Sequence, residues 1–298
     1  MVNKIQAQNL LWVDIKRPKK ADIEFLEKKY RFHPVDLADS LSKIQLPKLS
    51  FSEDYLFIIL QIPIFNKRTK TILSAKIDIF VNDDFLVTIH REKIAGLEEI
   101  FQKCVSSKKA RENHMESASG LLYDILLKIL NYYRMLNHTR KKIDKIEKKI
   151  FKSQDPKIVE DISLVRREVT DLVKIIIPQK TVLRKLVSKN NGYIAPQFRK
   201  HFQDLLDNSQ KISETLENQK DIIESLQDTS ESLASYRLNH IIKILTIFSI
   251  ILGSLNFILQ LYFISPGARK PENIFGLSII MISAACLGIA MFLKKKWL

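Results

Sequence analysis

The sequence predicts an α+β domain, then a stalk of long helices, then a C-terminal membrane hairpin of two helices. Three observations carry this reading. Residues 244–264 and 274–293 are nearly uncharged apolar runs separated by nine residues. Residues 197–252 contain neither proline nor glycine. Residues 1–116 instead mix short β-branched and aromatic runs with stretches of helical spacing.

The α+β domain is expected over 1–116. A short strand falls at 9–15, and Ile23 and Leu26 place a helix over 19–30. Runs at 55–62, 77–81 and 85–90 read as strands, and Asn82-Asp83-Asp84 makes a tight turn between the last two. A further helix covers 94–105. The sheet is expected to be mostly antiparallel.

The stalk is expected over 117–240. Leu121, Ile125, Leu126, Ile129 and Leu130 mark an amphipathic helix running toward Phe151. Asp155-Pro156 starts another helix, a capping side chain followed by proline at the first helical position. It runs to about residue 189 with a kink at Pro178, and Asn190-Asn191-Gly192 ends it. Leu205, Ile212, Leu216, Ile223, Leu226 and Leu233 then recur at spacings of three, four or seven. If this coiled-coil-like helix continues through residue 264, it is about 100 Å long at 1.5 Å per residue. A helix of that length needs neighbouring helices, from its own chain or from other copies.

The hairpin is expected over 241–298, with spans at about 244–264 and 274–293. Each run is long enough to cross about 30 Å of hydrocarbon. Lys243 precedes the first span and Lys294-Lys295-Lys296-Trp297-Leu298 follows the second. The positive-inside bias therefore puts both termini in the cytoplasm of a multi-pass inner-membrane protein. No signal pattern opens the chain. Within the first span, Thr246, Ser249, Gly253, Asn256 and Gln260 follow at gaps of three, four, three and four, so they share one helical face. A polar face inside a membrane requires water or a polar neighbour.

Composition excludes several function classes. The net charge is +15, but it is spread along the chain with no dense basic and aromatic patch, which argues against nucleic acid. It suits a protein facing an anionic leaflet. Cys104 and Cys286 are the only cysteines, one in the expected cytoplasmic part and one in the membrane, which argues against a disulfide. No histidine cluster has metal-ligand spacing, no glycine loop is present, and no nucleophile motif occurs, so an enzyme reading has no residues to carry it.

Several strings resemble, in order, the CorA family of magnesium transporters: Trp12-Val13-Asp14, His33-Pro34, Asp36-Leu37-Ala38-Asp39, Gln45-Leu46-Pro47-Lys48 and Tyr55-Leu56-Phe57-Ile58. Arg237-Leu238-Asn239 and Lys243-Ile244-Leu245-Thr246 resemble the family's approach to its first span, and the lysine-rich end is similar to the family's usual ending. The resemblance implies a funnel-shaped homopentamer whose long helices line a central pore. It also implies magnesium as transported and/or regulatory ion, with no organic cofactor. The implied partners are other copies of the chain, divalent cations and the bilayer.

On that resemblance the pore lining is Asn239, Ile242, Leu245, Thr246, Ser249, Gly253, Asn256 and Gln260. Ile242 and Leu245 would form an apolar constriction that gates by dewetting. Asn239 sits at the membrane boundary, where a pore-facing amide and a helix–helix hydrogen bond both fit. Asp228 resembles an acidic ring at the cytoplasmic pore mouth. Asp39 and Asp204 resemble a regulatory divalent-ion site between subunits, since two carboxylates plus waters suit magnesium. Solvated surface acids are the bland alternative for all three aspartates.

The chain departs from the family at the outer mouth. The family's Gly-Met-Asn tripeptide is replaced by Phe263-Ile264-Ser265, after Tyr262. Phenylalanine and isoleucine side chains supply no acceptors, and Ser265 supplies only a short hydroxyl. The outer loop carries Arg269 and Lys270 against Glu272 alone, so five copies would carry about +5 at the rim. The leading expectation is a pentameric divalent-cation conductor gated by cytoplasmic ion, with relaxed or shifted selectivity. The alternative is a non-conducting membrane sensor or scaffold that has lost the filter.

Overall fold

A computed structural model describes residues 2–42, 45–66, 68–69, 71–151, 155, 157–188 and 192–264, and positions 276, 279 and 281–283. Most of the expected second span, Asn190-Asn191, Pro156, Cys286 and the lysine-rich end lie outside the described residues. The chain divides into two compact units, Met1–Leu226 and Gln227–Leu298.

The first unit is built on a six-stranded sheet in the order β1-β2-β6-β5-β4-β3. The strands are β1 (Val2–Ala7), β2 (Leu10–Lys16), β3 (Lys48–Phe51), β4 (Leu56–Asn66), β5 (Thr71–Val81) and β6 (Phe85–His90). The pairings β1–β2, β3–β4, β4–β5 and β5–β6 are antiparallel. The β2–β6 pair is parallel, with Asp14 opposite Thr88 and Lys16 opposite His90. The expected tight turn closes β5 onto β6: Asn82 Oδ1 accepts from the backbone N–H of Asp84 and of Phe85, both at 2.9 Å. The β1–β2 turn puts Gln8 at φ 47°, in the left-handed region.

Alternation sends side chains to two separate cores. Trp12, Ile58, Leu60, Ile77 and Ile79 face one way, under α3 (Ala95–Ser106), α5 (Ala118–Ile129), α7 (Lys157–Ile176), α8 (Gln179–Val187) and the start of α9 (Arg199–Ile264). Val13, Ile15, Phe57, Ile59 and Phe80 face the other way, under α1 (Lys20–Tyr30) and α2 (Pro34–Leu41). On that second face Phe80 stacks between Phe32 and Phe57, at centroid distances of 4.2 and 4.3 Å. Each large side chain buried this way contributes about 1.5–3 kcal/mol. Cys104 is buried in the first core, and that burial pushes its thiol up to about 11.

Two expected helices are each split in the structure. The helix expected toward Phe151 breaks into α5 and α6 (Tyr133–Ile150). At the break Leu130 and Tyr132 are pulled into the core, and Tyr132 Oη donates to Gln179 Oε1 at 3.2 Å. Pro178 ends α7 at Ile176 instead of merely kinking one helix, and α8 starts at Gln179. The buried Gln179 amide repairs the gap, donating to Ile175 O at 2.8 Å and to Gln61 O at 2.5 Å. At the start of α7 the expected cap is present: Asp155 Oδ1 accepts from Lys157 N at 3.0 Å. Between α3 and α5 lies the short α4 (Lys108–His114).

Helix α9 runs 66 residues without a break. Its first part packs Phe202, Leu205, Ile212 and Leu216 into the first core. Gln219 ties it to α6, donating to Leu136 O at 3.1 Å and accepting from Thr139 Oγ1 at 2.5 Å.

Candidate functional site

The second unit begins at Gln227, still within α9. Among the described residues one helix is long and apolar enough to cross a membrane, and it is this one. Its expected lining residues are all exposed within the chain: Asn239, Thr246, Ser249, Gly253, Asn256 and Gln260, with Ile242 and Leu245 at 50% and 58%. A Cβ added at Gly253 would meet nothing within 4 Å.

Coverage of this segment falls on a different face. Lys243, Ile251, Leu255, Ile258 and Leu259 are half-buried and Ile247 is buried. At about 100° per residue, these positions centre roughly 180° from the stripe. Asp228, Asn239, Ile242 and Leu245 fall on the stripe's side by the same reckoning. Among the described residues the back of the helix is therefore covered and the polar front is exposed.

The stripe is not uniform in its needs. Thr246 Oγ1 donates to Ile242 O at 2.8 Å, so its own helix satisfies it. The side-chain amides of Asn256 and Gln260 have no hydrogen-bond partner among the described residues. Leaving such groups in hydrocarbon costs several kcal/mol each. The stripe's demand for water or polar partners thus falls on these two residues and on the Ser249 hydroxyl, which also has no partner among the described residues.

At the outer end, Ile264 is exposed and is the last residue of α9. The side chains of Tyr262 and Phe263 lie outside the described residues, as do Ser265, Arg269, Lys270 and Glu272. Asp228 is exposed.

The N-terminal strings that are separate in sequence form one polar network around α2. His33 N donates to Tyr55 Oη at 2.9 Å, and Tyr55 Oη donates to Asp36 Oδ2 at 2.8 Å. Lys48 Nζ lies 3.5 Å from Asp36 Oδ1 and 3.0 Å from Asp39 Oδ2. Gln45 Nε2 donates to Asp39 Oδ1 at 2.8 Å. Burial pulls the Lys48 ammonium down, but Asp39 and Asp36 outweigh it and hold it above the ordinary lysine value. Asp39 is thus already paired within the protomer, and an ion there would compete with Lys48. Asp204 stands exposed on α9, close enough to Tyr123 for its charge to help burial raise that phenol. Among the described residues no three His, Cys, Asp or Glu side chains cluster to hold a metal.

Sequence reasoning missed two buried charged groups. Lys76 Nζ stands 3.0 Å from Asp78 Oδ2, within ion-pair reach but off the line of a hydrogen bond, and donates to Asp39 O at 2.5 Å. Burial pushes Asp78 up to about 7, against the pull of Lys76. On the other face of the sheet, Trp12 Nε1 donates to Thr88 Oγ1 at 3.2 Å and Thr88 donates to Asp14 Oδ1 at 2.7 Å. His90 Nε2 lies 3.2 Å from the same oxygen, again out of line. The signal was present in the alternation, which puts Asp14 on the same face as Trp12.

This network sets a pH dependence. Burial lowers His90, but Asp14 and the Glu92 carbonyl outweigh it and hold the imidazole above its ordinary value. A group raised on folding gives stability that is fully present below its unfolded value, about 6.5, and lost as pH rises through the folded value. The thermal midpoint is therefore expected to fall from pH 6 to pH 8.5. Asp78, also raised, adds a slope of the same sign at lower pH. His90→Gln should lower the midpoint at pH 6 and flatten the alkaline part, at about 2–4 °C per kcal/mol. An unchanged slope in that variant would dismiss His90 as the source.

Comparison with known proteins places these features in context. Residues 7–295 match the family described as "CorA-like Mg2+ transporter protein". The chain is 26% identical over 294 residues to the cobalt/magnesium transport protein CorA of Methanocaldococcus jannaschii, covering 97% of this chain and 92% of that protein. It is 25% identical over 293 residues to the protein of the same description from Thermotoga maritima, covering 96% and 83%. The complete structure of the Methanocaldococcus jannaschii CorA magnesium transporter superposes with a TM-score of 0.85 at 25% identity, over 99% of this chain and 94% of that one.

Proposed function

The chain belongs to the family of CorA-like Mg2+ transporter proteins, and from that premise we propose that it conducts divalent cations, magnesium foremost, through a homopentameric pore lined by its first membrane span. The observation that carries this reading is the opposition of faces on α9. The protomer covers the back of the span, and on the front Asn256 and Gln260 have no partner among the described residues. Five fronts turned inward would give those amides water and one another, whereas a lipid-facing anchor would give them neither.

In this reading the C-terminal spans form an outer ring, both termini are cytoplasmic, and Asn239 and Asp228 follow Ile242 and Leu245 toward the cytoplasm. Conduction is driven by the ion gradient and the membrane potential. Phe263, Ile264 and Ser265 replace the family's filter. With Arg269 and Lys270 at the rim, they lower magnesium capture and relax selectivity.

Ion bound between Asp39 of one subunit and Asp204 of the next holds the funnel closed, and its loss lets the like charges separate the subunits. Lys48 sets the threshold by competing for Asp39. Lys200→Cys, exposed near Asp204, should cross-link between subunits more fully with magnesium than without it. Asp204→Asn should erase that difference, and a yield indifferent to magnesium in the parent would remove the regulatory site.

A second reading is favoured by the missing acceptors and the basic rim: a pentameric membrane sensor or scaffold that no longer conducts. Reconstitution into liposomes separates the two. Magnesium, cobalt, nickel and zinc uptake is followed with an internal dye. Flux of any of them supports conduction. Intact pentamers with no flux of any ion support the scaffold.

A further inference from the structure

We propose that the first unit carries a second ligand site, a pocket for a small phosphate-bearing anion at the carboxyl ends of the parallel strands β2 and β6. A cavity of about 410 Å³ opens there, lined by Lys16, Arg17, Lys19, Arg91 and Lys93, with Glu92 and Glu98 as the acidic residues. That volume suits a small molecule.

Topology explains why a cavity forms at this place. β2 and β6 are neighbours and run parallel, but their chains leave in opposite directions. β2 leads to α1, whose Ile23 and Leu26 pack on one face of the sheet. β6 leads to α3, whose Leu97 and Ile100 pack on the other. Adjacent parallel strands that diverge to opposite faces leave a crevice outside their carboxyl ends, the position where open sheets hold ligands. Arg17 is turned out of β2 by a left-handed backbone at φ 53°, while its N–H donates to His90 O at 2.8 Å.

The chemistry of the walls calls for an anion. The first helical residues of α3 follow Ile94, an apolar N-cap that gives them no side-chain acceptor, so the positive end of a 12-residue helix opens at the wall. Arg91 donates through Nη2 to Leu41 O at 2.9 Å, but its Nε is buried without a hydrogen-bond partner among the described residues. His90, 5% exposed, also lines the cavity, but its two ring nitrogens face Asp14 Oδ1 at 3.2 Å and Glu92 O at 2.6 Å, so it offers no spare donor. A buried donor left unmatched, as Arg91 Nε is, points to an absent acceptor.

The chain already places one carboxylate here. Glu98 accepts from Lys16 at 3.1 Å through one oxygen and pairs with Lys93 at 2.7 Å through the other. Those two ammonium groups draw its carboxyl below the usual range. An anionic oxygen pair is thus accommodated between the two walls, and a phosphate would displace or join it.

The test uses the full-length protein in detergent with EDTA, because polyphosphates chelate divalent ions. Titration calorimetry with inorganic phosphate, pyrophosphate and tripolyphosphate should show saturable binding that tightens along the series. Arg17→Gln and Lys93→Gln, both at exposed positions, should each weaken tripolyphosphate about tenfold, the order of one charge-assisted hydrogen bond. Glu98→Gln should tighten it severalfold by removing the resident competitor. Lys109→Gln, an equal charge change at an exposed position on α4, should leave it unchanged. No saturable binding of any of the three anions would overturn the site. So would equal weakening by Lys109→Gln and Arg17→Gln, because that would show binding to net charge alone. None of these readouts involves ion flux, so the result stands apart from the transport reading.

Discussion

Asn256→Leu is expected to abolish divalent-cation uptake into liposomes while leaving the assembled protein intact. The side chain is exposed, has no partner among the described residues and sits opposite the covered face, so none of the described residues depends on it. In a fivefold lumen the substitution replaces five amides with an apolar ring. A passing ion loses several hydrogen-bonding contacts, each worth about 0.5–1.5 kcal/mol or more for a charged partner. Two such losses at the barrier already amount to about 100-fold in rate. Ser254→Ala, two residues away and off the stripe, should transport normally, since Ser254 Oγ is satisfied by Ile251 O at 2.8 Å. Equal flux in the leucine variant and the parent would mean that ions do not pass along this face.

The second large effect is a gain. Replacing Phe263→Gly, Ile264→Met and Ser265→Asn together writes the family's tripeptide into positions 263–265. It supplies five side-chain amides where phenylalanine and isoleucine offer none. Magnesium flux is expected to rise on the order of tenfold, which corresponds to lowering the uptake barrier by about 1.4 kcal/mol. Adding Arg269→Glu and Lys270→Glu changes each chain by four charge units and should raise flux further, most of all at low ionic strength. If the tripeptide leaves flux at zero with pentamers intact, the block lies deeper than the mouth and the scaffold reading gains.

What could be read from the letters was whatever is local. The Asn82 turn, the Asp155 cap and the unbroken run into α9 each depend on a few neighbouring residues, and each is present, whereas Pro178, read as a kink, ends α7 outright. The stripe was equally legible, because helical phase needs no partner to define it. The misses are non-local. The parallel β2–β6 pairing joins residues 74 apart, Asp14 to Thr88, and no nearby residue encodes it. β1, with Val2, Ile5 and Ala7 as its apolar residues, has too faint an alternation to announce a strand. The α5–α6 break contains neither proline nor glycine. It follows from Tyr132 reaching Gln179, a partner 47 residues away.

The same distinction applies to the candidate sites. His33, Asp36, Asp39, Gln45, Lys48 and Tyr55 were legible as strings, but their convergence into one network around α2 was not. That convergence changes the regulatory argument, because Asp39 meets a lysine of its own chain before it meets any ion. The basic cavity was wholly invisible in the sequence. Lys16 and Lys93 are ordinary letters until β2 and β6 lie side by side.

The opposition of covered and uncovered faces on α9 also bears on how such a protein can change over generations. Residues on the back of the helix answer to the protomer's own folding, and residues on the front do not. Substitutions at Ser249, Asn256 or Gln260 can therefore accumulate without a folding penalty to filter them. If the front lines the pore as proposed, ion preference becomes an independently adjustable trait, free to drift between relatives that keep one architecture.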